Sequence, residues 1–303
     1  MMSERGGIMK IRNLTKKMDD NLVLKDVSFD LKAGEITALI GRNGVGKTTL
    51  FSTMTGIYLP DEGDVFLGEE SIFKHPEVKQ QLFFLEDNMN HFNTYSVQTV
   101  VKIYRQIYTT FDEAFFNELM QRFELPMKAK LMSFSKGRKA LFFIILAVSL
   151  NVRFLLLDEP MDGLDIIIKK QILATIKDTV KKRGTSVVIA SHRLEELEAI
   201  ADRVIVLKGA SVELDYYLED MRTDAVKIQV AFKTKKIPDF VKNNAQLLYR
   251  NGRIYTLLVT ENASSFLAEL RLEEPVLLEE MSISIEDIFT VHLANDKIDY
   301  YEI

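Results

Sequence analysis

The stretch GEITALIGRNGVGKTTLFSTMTG, Gly34 to Gly56, decides the fold. Glu35 to Ile40 is a short apolar run with the length and composition of a buried strand, and a helical pattern opens near Lys47. Between them, GRNGVGKT, Gly41 to Thr48, fits G-x-x-x-x-G-K-[ST] in the strand-to-helix setting that separates a phosphate loop from an ordinary glycine-rich turn. Gly41, Gly44 and Gly46, with Asn43 and Val45 between them, let the backbone turn tightly enough to aim successive N–H groups at phosphate oxygens. Lys47 brings a point charge to the β- and γ-phosphates of a nucleotide, Thr48 offers a hydroxyl to Mg²⁺, and Thr49 extends the cradle toward the α-phosphate.

The rest of the chain is arranged around that unit. RFLLLDEP, TSVVIASH and DRVIVLKG are aliphatic runs separated by helical segments, the alternation of a parallel sheet covered on both faces. Ahead of the loop, IMKIRNL and VLKDVSFDL alternate as strands about the turn KKMDDN, which predicts an antiparallel start. Residues 97 to 148 read as mostly helical and rich in Phe and Tyr, interrupted by ELPMKAKLMSFSKG. Beyond an acidic, irregular stretch at Asp215 to Asp224 the pattern changes: AVKIQVAF, AQLLYRN and RIYTLLVT alternate as strands, with IPDFVKN and ASSFLAELRL as short helices. These readings divide the chain into an α/β domain over residues 1–222, with a helical subdomain about 88–150, and a small α+β domain over 223–303.

Composition narrows the function. With 303 residues, 47% of them hydrophobic, the chain can build more than one core. A formal charge of −5 argues against a broad nucleic-acid footprint. The absence of cysteine removes disulfides, thiolate zinc sites and cysteine nucleophiles, and fits an intracellular location. The longest apolar run, Ala140 to Val148, is about half of what a membrane helix needs. The opening MMSERGGIMK has no apolar core long enough for a secretory signal and reads as disordered.

Three further places carry chemistry. In FLLLDEP, a strand ending in Asp158 places a carboxylate for Mg²⁺, with Glu159 beside it for an attacking water; the plain alternative is a solvated strand-end turn. His192 ends TSVVIASH, and a parallel sheet would bring it to the edge shared with the other two motifs, although a lone strand-end histidine is often only structural. The turn FSKGRK, Phe134 to Lys139, opens a helix that is apolar on every side, so Ser135 is either a simple N-cap or part of an anion site.

In order, the phosphate loop, FSKGRK, LLLDEP, MDGLD and ASH resemble the nucleotide-binding subunit of an ABC transporter over roughly Met9 to Val212. The resemblance implies an ATPase using ATP and Mg²⁺, with a P-loop core, an antiparallel β-subdomain and a helical subdomain. It implies that Phe134 to Arg138 is the signature motif, whose Ser135 and Gly137 meet the γ-phosphate of an ATP held by another chain. Asp162 to Asp165 would be the D-loop crossing that interface, Glu159 the residue acting on water, and His192 the γ-phosphate sensor. The implied partners are a second ATPase chain, identical or related, and a separate membrane permease, with no nucleic acid; the implied location is the cytoplasmic face of the membrane. The Ser-Lys-Gly form of the signature resembles subunits of bacterial peptide and antibiotic exporters, so export is the expected direction.

This chain also departs from that pattern. Lys136 and Arg138 stand where Gly and Gln are usual, and positive charge near a triphosphate should favour binding, by about 1.5–3 kcal/mol per charge-assisted hydrogen bond formed. Met18 stands where an adenine-stacking aromatic is usual. Asp87, in LFFLEDNMN, stands where a glutamine would face the metal; it is either a Mg²⁺ contact or part of a strand-end turn. MSISIEDIFTVHL resembles a closing segment of exporter-type subunits. Two other functional classes fit the motifs less well: a soluble ABC-type ATPase working on nucleic acid or ribosomes, and a switch that binds ATP without hydrolysing it.

Overall fold

The computed structural model describes residues 7–87, 89–191, 197–220, 225–234, 237–284 and 286–287. The chain separates into two compact units, Met1–Arg193 with Ile200–Asp215, and Leu194–Ala199 with Tyr216–Ile303.

In the first unit, β1 (Ile8–Met18) and β2 (Asn21–Lys32) form the expected antiparallel hairpin, registered from Ile8 opposite Lys32 to Met18 opposite Asn21. After β3 (Ile36–Ile40), which is buried throughout, comes α1 (Lys47–Met54). Then β4 (Glu62–Leu67) pairs with β1, and β5 (Glu70–Ser71) completes a four-stranded layer in the order β2-β1-β4-β5. The remaining elements are β6 (Leu82–Leu85), α2 (Val97–Ile107), α3 (Glu113–Arg122), α4 (Lys136–Ser149), β7 (Phe154–Asp158), α5 (Ile166–Arg183), β8 (Ser186–Ala190), β9 (Arg203–Lys208) and β10 (Ser211–Tyr217). They supply a six-stranded sheet in the order β10-β9-β3-β8-β7-β6.

The register of that sheet positions the site. Leu39 and Asp158 both pair with Ala190, so the carboxyl ends of β3, β7 and β8 finish side by side. In a parallel sheet that edge is where loops carry function. A single apolar core, including Leu39, Leu50, Phe51, Phe154, Leu156 and Val188, ties α1 to both sheets.

The helical segment is built from capped helices around an aromatic cluster. Ser96 caps α2 by accepting from Thr99 N, and Asp112 caps α3 by accepting from Phe115 N while pairing with Arg183 at 2.7 Å. From Leu141 to Ser149, α4 is buried on every side, as its sequence requires. Phe83 meets Tyr104 edge-on at 5.6 Å between centroids, and these two and Phe143 are core; Phe92, 6.0 Å from Phe143, is half-buried and Tyr95 is exposed.

The second unit contains β11 (Val226–Ala231), the helix Asp239–Asn244, β12 (Gln246–Asn251), β13 (Ile254–Val259), the helix Ala263–Leu272 and β14 (Leu277–Met281). Its antiparallel order, β12-β13-β11-β14, is the βαββαβ arrangement of a ferredoxin-like fold. Val241, Phe266 and Leu270 from the two helices share a core with Ile228, Val230 and Leu257.

Candidate functional site

The phosphate loop is closed on itself. Gly46 has φ +111, a conformation that strains any residue with a side chain, and a Cβ there would lie a tight 3.0 Å from the Val23 carbonyl oxygen. Lys47, 7% exposed, donates from Nζ to the Gly41 carbonyl at 2.8 Å, tying its ammonium to the first residue of the loop. Asn43, Gly44 and Thr48 are exposed, Val45 and Thr49 half-buried, and Leu50 N returns to Gly46 O at 2.8 Å to start α1.

Thr48 reaches across to β7. Its Oγ1 donates to Asp158 Oδ2 at 2.5 Å. Burial pushes the Asp158 carboxyl above the usual range, the Thr48 hydrogen bond opposes that shift, and neighbouring Glu159 adds to it. Glu159 has φ +45, a left-handed conformation that is uncommon for a residue with a side chain, and its N–H donates to Ala190 O at 2.9 Å. The bond anchors Glu159 to the end of β8, beside the point where His192 follows; His192 itself lies outside the described residues.

A cavity of about 300 Å³ opens beside these carboxylates, lined by Glu86, Asp87, Lys136, Lys139, Glu159 and Asp162 among others. Asp87 is therefore on the same cavity as Asp158 and Glu159, and its charge is felt at Asp158. Lys139 was not singled out from the sequence, although its i,i+3 spacing from Lys136 on the first turn of α4 puts both on one face. Among the described residues no group of three or more His, Asp or Glu side chains is arranged to hold a metal by itself.

The signature-like turn has a different character. Ser135 is an N-cap, its Oγ accepting from Arg138 N at 3.3 Å. A Cβ on Gly137 would lie 2.5 Å from Gly163 O, so only glycine permits the turn to sit against residues 162–163. Lys136 pairs with Asp162. Arg138 turns away, donating to Glu124 O at 2.9 Å with its guanidinium over the Phe134 ring, so the two cations expected near a phosphate both have partners within the chain. Asp165 caps α5, accepting from Ile167 N and Ile168 N at 3.0 and 2.9 Å.

Residues 24–162 match the family described as ABC transporter. Over 285 residues the chain is 35% identical to the ABC transporter ATP-binding protein YtrB of Bacillus subtilis, spanning 93% of this chain and 97% of that protein. It is also 30% identical over 259 residues to the methionine import ATP-binding protein MetN of Francisella tularensis, spanning 79% of this chain and 74% of that one. Among solved structures, an ATP-binding subunit of an ABC transporter superposes with a TM-score of 0.65 at 25% identity, over 71% of this chain and 92% of that one. The chain belongs to the ATP-binding subunits of ABC transporters, a family that hydrolyses ATP to power transport. Such subunits work with a transmembrane partner, and among the described residues no helix is long and apolar enough to cross a membrane.

Proposed function

We propose that two ATPase chains sandwich two ATP molecules, each nucleotide held by the phosphate loop of one chain and capped by Ser135 and Gly137 of the other. The observation that carries this reading is the direct hydrogen bond from Thr48 Oγ1 to Asp158 at one sheet edge, with the Lys47 ammonium, tied to the Gly41 carbonyl, near enough for its charge to act on Asp158. Gly41, Asn43, Gly44, Val45, Gly46 and Thr49 would supply backbone N–H groups and the Thr49 hydroxyl to the phosphates, and Lys47 the neutralising charge. Thr48 and Asp158 are hard oxygen donors already in contact, a set suited to Mg²⁺, which takes one or two protein oxygens besides phosphate and water. When bound, that cation would neutralise charge on the phosphates. Glu159, held at the end of β7, would orient water and accept its proton, and His192 would report the γ-phosphate. Asp87 would contact the metal or its water; unchanged Mg²⁺ dependence of turnover in Asp87→Ala would exclude that role.

Closure and reopening of the sandwich would drive a separate permease at the cytoplasmic face of the membrane. The domains assigned are the ATPase over residues 1–222, its helical subdomain about 88–150, and an accessory domain over 223–303. The Ser-Lys-Gly form at Ser135 to Gly137 supports export. The likeness to MetN, an import protein by name, favours import as the second reading. Light scattering of Glu159→Gln protein with ATP and Mg²⁺ tests the sandwich: mass doubles if the reading holds, whereas a monomer with demonstrated ATP binding contradicts self-closure. Vesicles carrying the co-purified permease then give the direction of transport.

A further inference from the structure

Two departures from the family pattern, Lys136 in the signature turn and Asp87 after β6, face the same cavity. They are 49 residues apart in sequence and opposite in charge. Around that cavity stand the carboxylates of Glu86, Asp87, Asp158, Glu159 and Asp162, with the cations Lys136 and Lys139. Carboxylates gathered in one recess raise each other's charging cost, so a cation among them changes the balance for all of them.

Lys136 is also part of a mechanical contact. Its Nζ pairs with Asp162, and its Cγ and Cδ lie 3.4 Å from where a Cβ of Gly163 would be. The next residue, Gly137, is the one pressed against Gly163 O. Two consecutive residues of the signature turn thus seat on two consecutive residues of the D-loop. From there the path to Glu159 is short: Asp162 N donates to Glu159 O at 3.2 Å, and Glu159 N is fixed to Ala190 O. A shift of Asp162 is transmitted through one tight turn to a residue already in a left-handed conformation.

We propose that Lys136 is a positioning residue which ties the D-loop to the signature turn of its own chain, and that Asp87 and Lys136 are a matched pair whose charges compensate one another. The link joins the part of the chain read as serving the partner's nucleotide to the residue that acts on its own. It rests on the reading of Glu159 given above. The ion pair is largely exposed, so its contribution to global stability is small and its effect is local.

The test uses full-length protein with Lys136→Met, which keeps the packed stem and removes the charge, and Lys136→Arg, which keeps the charge. In nucleotide-free protein, Lys136→Met should speed amide exchange across residues 159–165 by roughly two- to fivefold, as should Asp162→Asn, with the double variant no faster than either. Lys136→Arg should leave exchange close to that of the unaltered chain. In turnover, Lys136→Met should lower kcat with little change in KM for ATP, and adding Asp87→Gln should recover much of the loss. Unchanged exchange in Lys136→Met overturns the inference, and so do losses from Lys136→Met and Asp87→Gln that simply multiply. A Glu159→Gln protein with normal turnover would instead overturn the reading of Glu159, and the exchange result alone would then decide the link.

Discussion

The phosphate loop and the signature turn both open helices, yet they are held in different ways. In the loop, the backbone turn is tied within the motif, Lys47 bonding to Gly41 six residues earlier and Val45 N to Arg42 O, while Val23 packs on Gly46 and Thr48 reaches out to Asp158. In the turn, Lys136 and Gly137 depend on Asp162 and Gly163, 26 residues later, and Arg138 on Glu124, 14 residues earlier. A local motif carries its own geometry, whereas a turn that takes its shape from distant segments responds to changes made elsewhere. The loop should therefore fail by losing chemistry, and the turn by losing position.

The largest effect expected is on the loop side. Glu159→Gln should cut ATP turnover by about 10²–10⁴-fold while leaving nucleotide binding intact, the range for losing a general base. Lys47→Ala should abolish both, which binding and turnover assays on the same preparations would separate. On the turn side, Gly137→Ala drives a Cβ to 2.5 Å from a backbone oxygen, and either segment must move. A loss of about 1–3 kcal/mol in urea unfolding is expected, with faster amide exchange at residues 159–165. A gentler break, Ser135→Ala, removes the cap of α4 and should cost about 1 kcal/mol in the same unfolding measurement. A Gly137→Ala loss below about 0.5 kcal/mol, the range of an ordinary surface substitution, would mean that the turn is as self-contained as the loop.

Asp158 gives the opposite sign. Its carboxyl is raised above the ordinary value of 3.8, mainly by burial, so the nucleotide-free protein carries an unfavourable buried charge at neutral pH. That cost is absent below the unfolded value, where Asp158 is protonated in both states, and grows as pH rises through the raised folded value. Asp158→Asn should therefore raise the melting temperature at pH 7 without nucleotide and lose turnover, the stability gain shrinking toward pH 4. Melting curves across that range check the sign.

What could be read from the residues follows the same division. The runs at 36–40, 154–158 and 186–190 were legible because central parallel strands are continuously apolar. β4, β5 and β14 were not: GDVFLGEE and LLEEM mix few apolar residues with acids, and pairing of β4 on β1, β5 on β4 and β14 on β11 makes them strands. Within the site, Thr48 meets Asp158 because the parallel register aligns the strand ends. The partners of Lys136 and Arg138 were out of reach, because nothing within a few residues of either points to Asp162 or Glu124. The ferredoxin-like order of the second unit was equally hidden, as alternation identifies strands without ordering them.

The central claim is that each ATP site is completed by two chains, and mixing two disabled variants tests it most directly. Lys47→Ala spoils the phosphate loop, Ser135→Arg blocks the signature turn, and each protein alone should be nearly inactive. Mixed in equal amounts, half of the randomly paired dimers would hold one intact site of two, so turnover should recover to about a quarter of the unaltered level. A mixture no more active than the sum of its separate components would contradict a site shared between chains.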